Sequence, residues 1–163
     1  MSASATLERW RAGPRSSSAG ETAGPSSIRE VLTVLRPDRI RHGIRAIEDP
    51  ALVEELADRR VVLDVCPTSN VKTGAVPDIA HHPLPGLVQA GVLCSVSTDD
   101  PAIFDTDLDR EYALVASLGV SLRQVFDAAL TGALCSRSTK SDFAHARDAY
   151  PWPEDGGPLP ALL

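Results

Sequence analysis

The segment "VVLDVC", residues 61–66, is a nearly continuous apolar run that contains one charged residue, Asp64. Such a run is typical of a β-strand that is covered on both faces, as strands are in parallel sheets. The segment before it, "EDPALVEELADRR", has the spacing of an amphipathic helix, with Asp49 as the expected N-cap and Pro50 at the first helical position. A helix followed by a buried strand is the repeating element of α/β proteins.

The same order of helix and strand recurs along the chain. Helical patterns occupy residues 26–37, 84–91, 107–119 and 121–134, and strand-like segments occupy residues 39–44 and 92–97. Ser26 or Ser27 is expected to cap the first of these helices, and Ser121 with Gln124 forms a capping box at the last. The pattern predicts an α/β fold with a parallel sheet, either an open doubly wound sheet or part of a barrel.

The composition of the chain argues against some classes of function. The chain has 163 residues, enough for one domain with a core, and its 16 basic and 22 acidic residues give a net charge of −6. This balance argues against nucleic-acid or membrane partners. The N-terminus lacks an apolar secretion signal, and no segment approaches a membrane span, so we expect a cytoplasmic protein. The first 25 residues show no sustained period and are expected to form a loop or tail.

Two groups of possible metal-binding residues are assigned to packing instead. Cys66, Cys94 and Cys135 are widely spaced, and the first two lie in strand-like runs, which favours buried free thiols over disulfides or a zinc site. His81 and His82 are adjacent, so in an extended segment their side chains point apart.

Polar residues follow the predicted strands where each one ends. His42 follows the first strand, "CPTSN" (66–70) the second and "STDDP" (97–101) the third, while Glu21 precedes the first helix. Because ligands of parallel α/β folds gather at the carboxyl ends of the strands, these side chains could converge on one site. A histidine, a glutamate and a pair of aspartates supply the groups of a metal ligand, a proton shuttle and a substrate anchor.

Each of these residues also has a simpler interpretation. One carboxylate of Asp99 and Asp100 could cap the next turn, although a cap needs one carboxylate and not two. His42 could be a structural hydrogen-bonding residue, and Glu21 could be a solvated side chain in a glycine-rich turn. The "CPTSN" segment is expected to be a turn that closes the strand rather than a nucleophile site, because Cys66 has no basic neighbour in sequence.

Five blocks carry a resemblance to a known family. They are SAGETAGPSSI (18–28), RIRHGIRAIEDP (39–50), CPTSNVKTG (66–74), HPL (82–84) and STDDPAIF (97–104). In order and spacing they resemble the C-terminal half of adenosine deaminases, from about Ser18 to about Leu130. The resemblance implies the C-terminal half of a zinc-dependent (β/α)₈ TIM barrel, with parallel strands and flanking helices. Such enzymes hydrolyse the 6-amino group of adenosine or a related purine to give inosine and ammonia.

The resemblance implies a role for four residues. Glu21 matches the glutamate that protonates the purine ring, and His42 matches the histidine that orients and helps to deprotonate the zinc-bound water. Asp99 matches a zinc ligand, and Asp100 matches the aspartate that holds a purine ring nitrogen. The adjacent carboxylates would then face a divalent cation and a nucleobase donor.

The chain departs from the family pattern at the expected metal site. Ser18 stands where the family has a zinc-binding histidine, and the chain contains no His-x-His pair, which supplies two further ligands in the family. Asp99 is therefore the one ligand of four that the resemblance assigns to this chain. A lone carboxylate does not hold catalytic zinc, so we expect the chain alone to be inactive.

The domain assignment follows from the same comparison. Residues 1–17 are expected to be a disordered or unrelated leader, residues 18–135 a half barrel, and residues 136–163 a C-terminal helix and a loose tail. A complete barrel takes roughly 250 residues, and a half barrel leaves two sheet edges unpaired, so we expect a complementary N-terminal half or a homodimer.

Two hypotheses of function remain open. One is a truncated or two-part purine deaminase, with adenosine, adenine or a futalosine-type nucleoside as substrate. The other is a non-catalytic remnant or interaction module that keeps the fold without the metal.

Overall fold

The computed structural model describes residues 15–153 of the chain. It contains one four-stranded parallel sheet in which each strand pairs with the next in sequence. The strands are β1 (Ser16–Ala19), β2 (Arg39–His42), β3 (Val62–Val65) and β4 (Leu93–Val96). The predicted parallel α/β fold is confirmed, and the sequential strand order is the one that neighbouring strands have in a (β/α)₈ barrel.

Helices connect and flank the strands. They are α1 (Pro25–Val34), α2 (Pro50–Asp58), α3 (Pro67–Lys72), α4 (Leu84–Gln89), α5 (Pro101–Phe104), α6 (Leu108–Ser117), α7 (Leu122–Gly132) and α8 (Arg137–Ala149), with 3₁₀ turns at Ile44–Glu48 and Ile79–His81. None of the helices between residues 15 and 153 has the length and apolarity that a bilayer crossing requires.

The N-termini of three helices test the capping predictions. Asp49 accepts a hydrogen bond from Leu52 N (3.2 Å), and Ser121 caps α7 through Gln124 N, so both predicted caps are confirmed. The predicted serine cap of α1 is wrong, because the helix begins at Pro25 with Gly24 in the cap position and no side-chain cap. The Ser27 hydroxyl instead donates to the Gly24 carbonyl at 2.8 Å.

The core lies between the sheet and its helices. All four residues of β3 are buried, as the apolar run predicts, and β2 alternates between half-buried and buried side chains. Cys66 and Cys94 are buried free thiols, as predicted, while Cys135 is exposed. Burial raises the pKa of the Cys66 and Cys94 thiols to about 12, so both are inert as nucleophiles.

The expectation of a loop over the first 25 residues is wrong for Ser16–Ala19, which form β1. This segment of three serines and an alanine has no apolar pattern of its own, and β2 supplies its pairing, with Ser16 opposite Arg39 and Ala19 opposite His42. The sheet thus includes residues 16 and 17, the last two of the predicted leader. Residues 1–14 and 154–163, including most of that leader and the end of the tail, lie outside the described residues.

Candidate active site

The carboxyl ends of β1 and β2 bring Glu21 and His42 together. The two strands are followed by Gly20 and Gly43, which have φ angles of +70° and +71°, and a Cβ atom on Gly20 would lie 2.3 Å from Ile28 Cδ1 and 3.1 Å from the Gly43 Cα. Glycine is therefore favoured at both positions by the positive φ and, at Gly20, by the lack of room for a Cβ atom. This close approach leaves His42 Nε2 3.5 Å from Glu21 Oε2.

Two predicted site residues have a left-handed backbone at the ends of their strands. His42 has a φ of +63° and Asp99 a φ of +61°. Non-glycine residues in this region cost about 1–3 kcal/mol and persist where the surrounding structure imposes them, often at functional sites. Two of the five non-glycine residues with a positive φ between residues 15 and 153 thus lie at the end of β2 or just after β4, where the sequence predicts the site.

Helix α3 contributes a residue that contacts both Glu21 and His42. Asn70 is fully buried, and its Nδ2 donates to Glu21 Oε1 (3.3 Å) and lies 3.4 Å from His42 Nδ1. Thr73 Oγ1 donates to the same glutamate oxygen at 3.1 Å. We call Glu21, His42 and Asn70 the Glu21–His42 cluster. The expectation that residues 66–70 form a closing turn is wrong, because they begin a helix that directs Asn70 into the site.

His82 supports this cluster from the far side of Asn70. Its Nε2 lies 3.3 Å from Asn70 Oδ1, and its side chain is buried, whereas that of the adjacent His81 is 70% exposed. The two histidines have different environments, as the predicted divergence of their side chains implies. The expectation that packing accounts for both is wrong for His81, which is exposed and contacts Asp78, while His82 is buried and contacts Asn70. Burial lowers the pKa of His82 to about 4, so its imidazole is neutral at pH 7.

Asp99 lies in a second group of contacts beside the first. Ser69 Oγ donates to Asp99 Oδ2 (2.9 Å), and Arg41 Nη2 lies 3.4 Å from Asp99 Oδ1. We call these three residues the Asp99 cluster. The Arg41 Nε is buried and has no hydrogen-bond partner among the described residues. The positive group that faces Asp99 in this structure is therefore a guanidinium.

Asp100 is the N-cap of α5. Its Oδ1 accepts hydrogen bonds from Ala102 N and Ile103 N, both at 3.0 Å, and the residue is exposed. Within residues 15–153, no hydrogen bond or ion pair joins its side chain to Glu21 or His42. The capping interpretation of one of the two aspartates thus holds for Asp100, and its contact with a purine stays a prediction.

The residues around Asp99 do not fit the zinc site that the resemblance implies. Ser18, which stands in a family ligand position, lies in β1 opposite Arg41. Across residues 15–153, no group of three or more histidine, cysteine, aspartate or glutamate side chains could hold a metal ion. A guanidinium has no lone pair to donate and carries a competing charge. The described residues offer one carboxylate, which is too few for catalytic zinc.

Sequence reasoning missed the residues that hold the predicted ones in place, namely Arg41, Ser69, Asn70, Thr73 and His82. One signal was available, because Pro67 directly after a buried strand favours the first turn of a helix, which carries Ser69 and Asn70. The alternation of β2 also puts Arg41 on the face opposite Ile40. His82 begins the HPL block, but its contact with Asn70 had no local signal, since the two residues are twelve apart in sequence.

Comparison with known proteins gives the family. The family model described as "Adenosine deaminase" matches residues 10–147. The aminodeoxyfutalosine deaminase of Acidothermus cellulolyticus is 53% identical over 131 residues, which cover 80% of this chain and 37% of that protein. The chain thus spans little more than a third of this relative's length.

Solved structures give the fold. The adenine deaminase of Arthrobacter aurescens superposes with a TM-score of 0.75 and 36% identity, over 83% of this chain and 42% of that one. An amidohydrolase from Burkholderia ambifaria, whose structure contains bound zinc, has a TM-score of 0.76 over 86% of this chain and 41% of that one, and at 24% identity it supports the fold alone. The sheet and its helices are part of a (β/α)₈ barrel, and the chain belongs to the adenosine deaminase family.

Proposed function

We propose that this chain supplies the proton-transfer part of an active site that hydrolytically deaminates adenosine or a related purine. The observation that carries the proposal is the contact between Glu21 and His42, 3.5 Å apart at the ends of two adjacent barrel strands. The names of its relatives support a purine-type substrate, since they include an adenine deaminase and an aminodeoxyfutalosine deaminase.

The geometry suits proton transfer. Glu21 Oε1 accepts from Asn70 and Thr73, so the carboxylate is held in one position while Oε2 faces His42. In hydrolytic deamination, water adds to the ring carbon that bears the amino group, the ring is protonated, and the amino group leaves as ammonia. Glu21 would give the proton to the ring, and His42 would orient the attacking water. Asp100 would hold the purine through a ring nitrogen.

The chain alone is proposed to be inactive. The described residues around Asp99 do not fit zinc, and Arg41 faces the carboxylate that the family uses as a ligand. Activity would need further ligands from a complementary N-terminal half, and a histidine in place of Ser18. A second copy of this chain would repeat the same shortage of ligands, so the complementary half is the preferred partner.

The test is complementation. The chain is mixed, with zinc, with the remaining part of the Acidothermus deaminase, and ammonia release is measured from adenosine, adenine and aminodeoxyfutalosine. We expect no ammonia from the chain alone or from the mixture with Ser18, and turnover from the mixture with Ser18→His. Within that active mixture, Glu21→Gln should reduce the rate by about 10²–10⁴-fold.

Glu30→Gln is the matched control, because Glu30 is an exposed glutamate of α1 and should leave the rate unchanged. Ammonia release with stoichiometric zinc from the chain alone would contradict the proposed inactivity. Equal rates for the Glu21→Gln and Glu30→Gln mixtures would contradict the role of Glu21.

The contact between Arg41 and Asp99 favours a second candidate, a non-catalytic module that keeps the fold. A guanidinium that neutralises Asp99 stabilises the site without a metal. This candidate predicts that no complementary half and no change at Ser18 restores turnover. It also predicts that removal of Arg41 lowers stability without any gain in zinc binding, measured by calorimetric titration.

A further inference from the structure

A buried chain of hydrogen bonds reaches the candidate site from the start of α4. Leu84 N donates to His82 Nδ1 at 3.1 Å. His82 Nε2 lies 3.3 Å from Asn70 Oδ1, and Asn70 Nδ2 lies 3.4 Å from His42 Nδ1. We call these four residues the histidine relay. It connects a backbone amide of the scaffold to an imidazole that faces Glu21.

The backbone end of the relay fixes the protonation of His82. A backbone N–H can only donate, so His82 Nδ1 must carry the lone pair that accepts from Leu84. A neutral imidazole has one N–H, and burial lowers the pKa of His82 to about 4, so this N–H sits on Nε2 at pH 7. His82 therefore donates to Asn70 Oδ1.

The other end of the relay fixes the protonation of His42. With Oδ1 accepting from His82, the amide nitrogen of Asn70 points at Glu21 Oε1 and at His42 Nδ1. An amide nitrogen can only donate, so His42 Nδ1 carries a lone pair and the N–H of the neutral ring is on Nε2. That N–H faces Glu21 Oε2 at 3.5 Å, an acceptor.

The opposite orientation of the Asn70 amide fails at both ends. It would turn the amide oxygen toward Glu21 Oε1, which places two acceptors together, and the amide nitrogen toward the N–H of His82, which places two donors together. Asn70 is fully buried, and His42 and His82 are each 4% exposed. An unsatisfied polar group there costs about 1–3 kcal/mol, so one direction of the relay is strongly preferred.

We propose that His82 is a positioning residue that acts through Asn70 to hold His42 in its Nε2–H tautomer. His42 then presents its Nε2–H toward Glu21, and its Nδ1 lone pair is occupied by Asn70. The consequence for catalysis rests on the proposed function: His42 would orient water or substrate by donation, and Glu21 would be the group of the pair that takes a proton from the attacking water and gives it to the ring. This changes the role of base that the resemblance implies for His42.

The test reads the tautomers directly by NMR on the full chain labelled with ¹⁵N-histidine, using long-range correlations between ring protons and ring nitrogens. The chain has only four histidines, so each ring can be assigned by substitution. At pH 7 we expect His42 and His82 each to show a protonated Nε2 and an unprotonated Nδ1. A protonated Nδ1 at His42 in the unmodified chain overturns the proposal without any variant.

Three variants separate positioning from a merely structural role. In His82→Leu the amide of Asn70 loses its anchor, and we expect the His42 Nδ1 signal to shift toward the protonated range as the second tautomer appears. His82→Gln keeps a side-chain N–H in a similar place and should restore the wild-type His42 signals. His81→Leu removes the exposed neighbouring histidine and should leave them unchanged.

An unchanged His42 signal in folded His82→Leu contradicts the proposal. Should that variant not fold, Asn70→Asp is the second test, because it places only carboxylate oxygens beside His42 Nδ1 and should drive the proton there. None of these measurements needs metal, substrate or turnover. Failed complementation would thus contradict the proposed function and leave the tautomer result standing, and the reverse also holds.

Discussion

The Glu21–His42 cluster and the Asp99 cluster lie at the same edge of one sheet, and each contains a strand-end residue with a positive φ. The two clusters differ in how fully their hydrogen-bond donors and acceptors are paired. In the first, donors and acceptors match from Leu84 through to Glu21, within residues that this chain supplies. In the second, a carboxylate meets a half-exposed arginine whose Nε is unsatisfied within residues 15–153.

The difference shows what the barrel strands alone can assemble. The proposed proton-transfer groups, Glu21 and His42, need only one another and a fixed direction of hydrogen bonds, which two strand ends and one helix turn provide. A zinc site needs three or four ligands that converge on one point, and the described residues do not provide them. The Glu21–His42 cluster should therefore be ordered and cooperative without a metal, while the Asp99 cluster should tolerate substitutions with little loss of stability.

The largest expected contrast compares adjacent residues of α3. Asn70→Ala removes the partner of three buried or half-buried side chains and should lower the free energy of unfolding by about 4 kcal/mol. Ser69→Ala removes one hydrogen bond, to an Asp99 that keeps Arg41 beside it, and should cost about 1 kcal/mol. Urea denaturation of both variants measures the difference. Equal losses would show that the two clusters are equally integrated.

A smaller effect is expected from pH. His82 has a pKa of about 4 in the folded chain, against about 6.5 when unfolded, because burial disfavours its charged form. Between these values the unfolded chain binds more protons, so the contribution of His82 to stability is present above pH 6.5 and is lost as the pH falls toward 4. By pH 4 the loss should reach about 3 kcal/mol.

The check is urea denaturation from pH 7 to pH 4 for the chain and for His82→Gln, which cannot titrate. The variant should lose less stability over this range, while His81→Gln, at the exposed neighbour, should follow the unmodified chain. Parallel curves for all three would mean that His82 is not buried as a neutral imidazole.

Much of this arrangement can be predicted from the sequence, and the rest depends on tertiary contacts. The apolar runs predict β3 and β4, and the rule that ligands gather at strand ends predicts that Glu21 and His42 lie near one another. The strand Ser16–Ala19 has no pattern to detect, because its pairing with β2 defines it. The direction of the hydrogen bonds through Asn70 also cannot be predicted from the local sequence, because His82 contacts Asn70 from another segment of the chain.

The smallest expected effect concerns the two adjacent aspartates, which sequence alone presents as equivalent. Asp100→Ala removes the cap of α5 and should cost about 1 kcal/mol, whereas Asp100→Asn keeps an acceptor and should be nearly neutral. Asp99→Gly loses its contacts to Ser69 and Arg41 but relieves a left-handed backbone at φ +61°, which returns about 1 kcal/mol, the lower end of the cost of such a backbone. Its net change should therefore be smaller than that of Asp100→Ala, as measured by thermal and urea denaturation. A larger loss of stability for Asp99→Gly would mean that the contacts of Asp99 stabilise the fold at least as much as the Asp100 cap does. In that case the carboxylate would be a structural partner of Arg41, and its strained backbone would need no ligand to explain it.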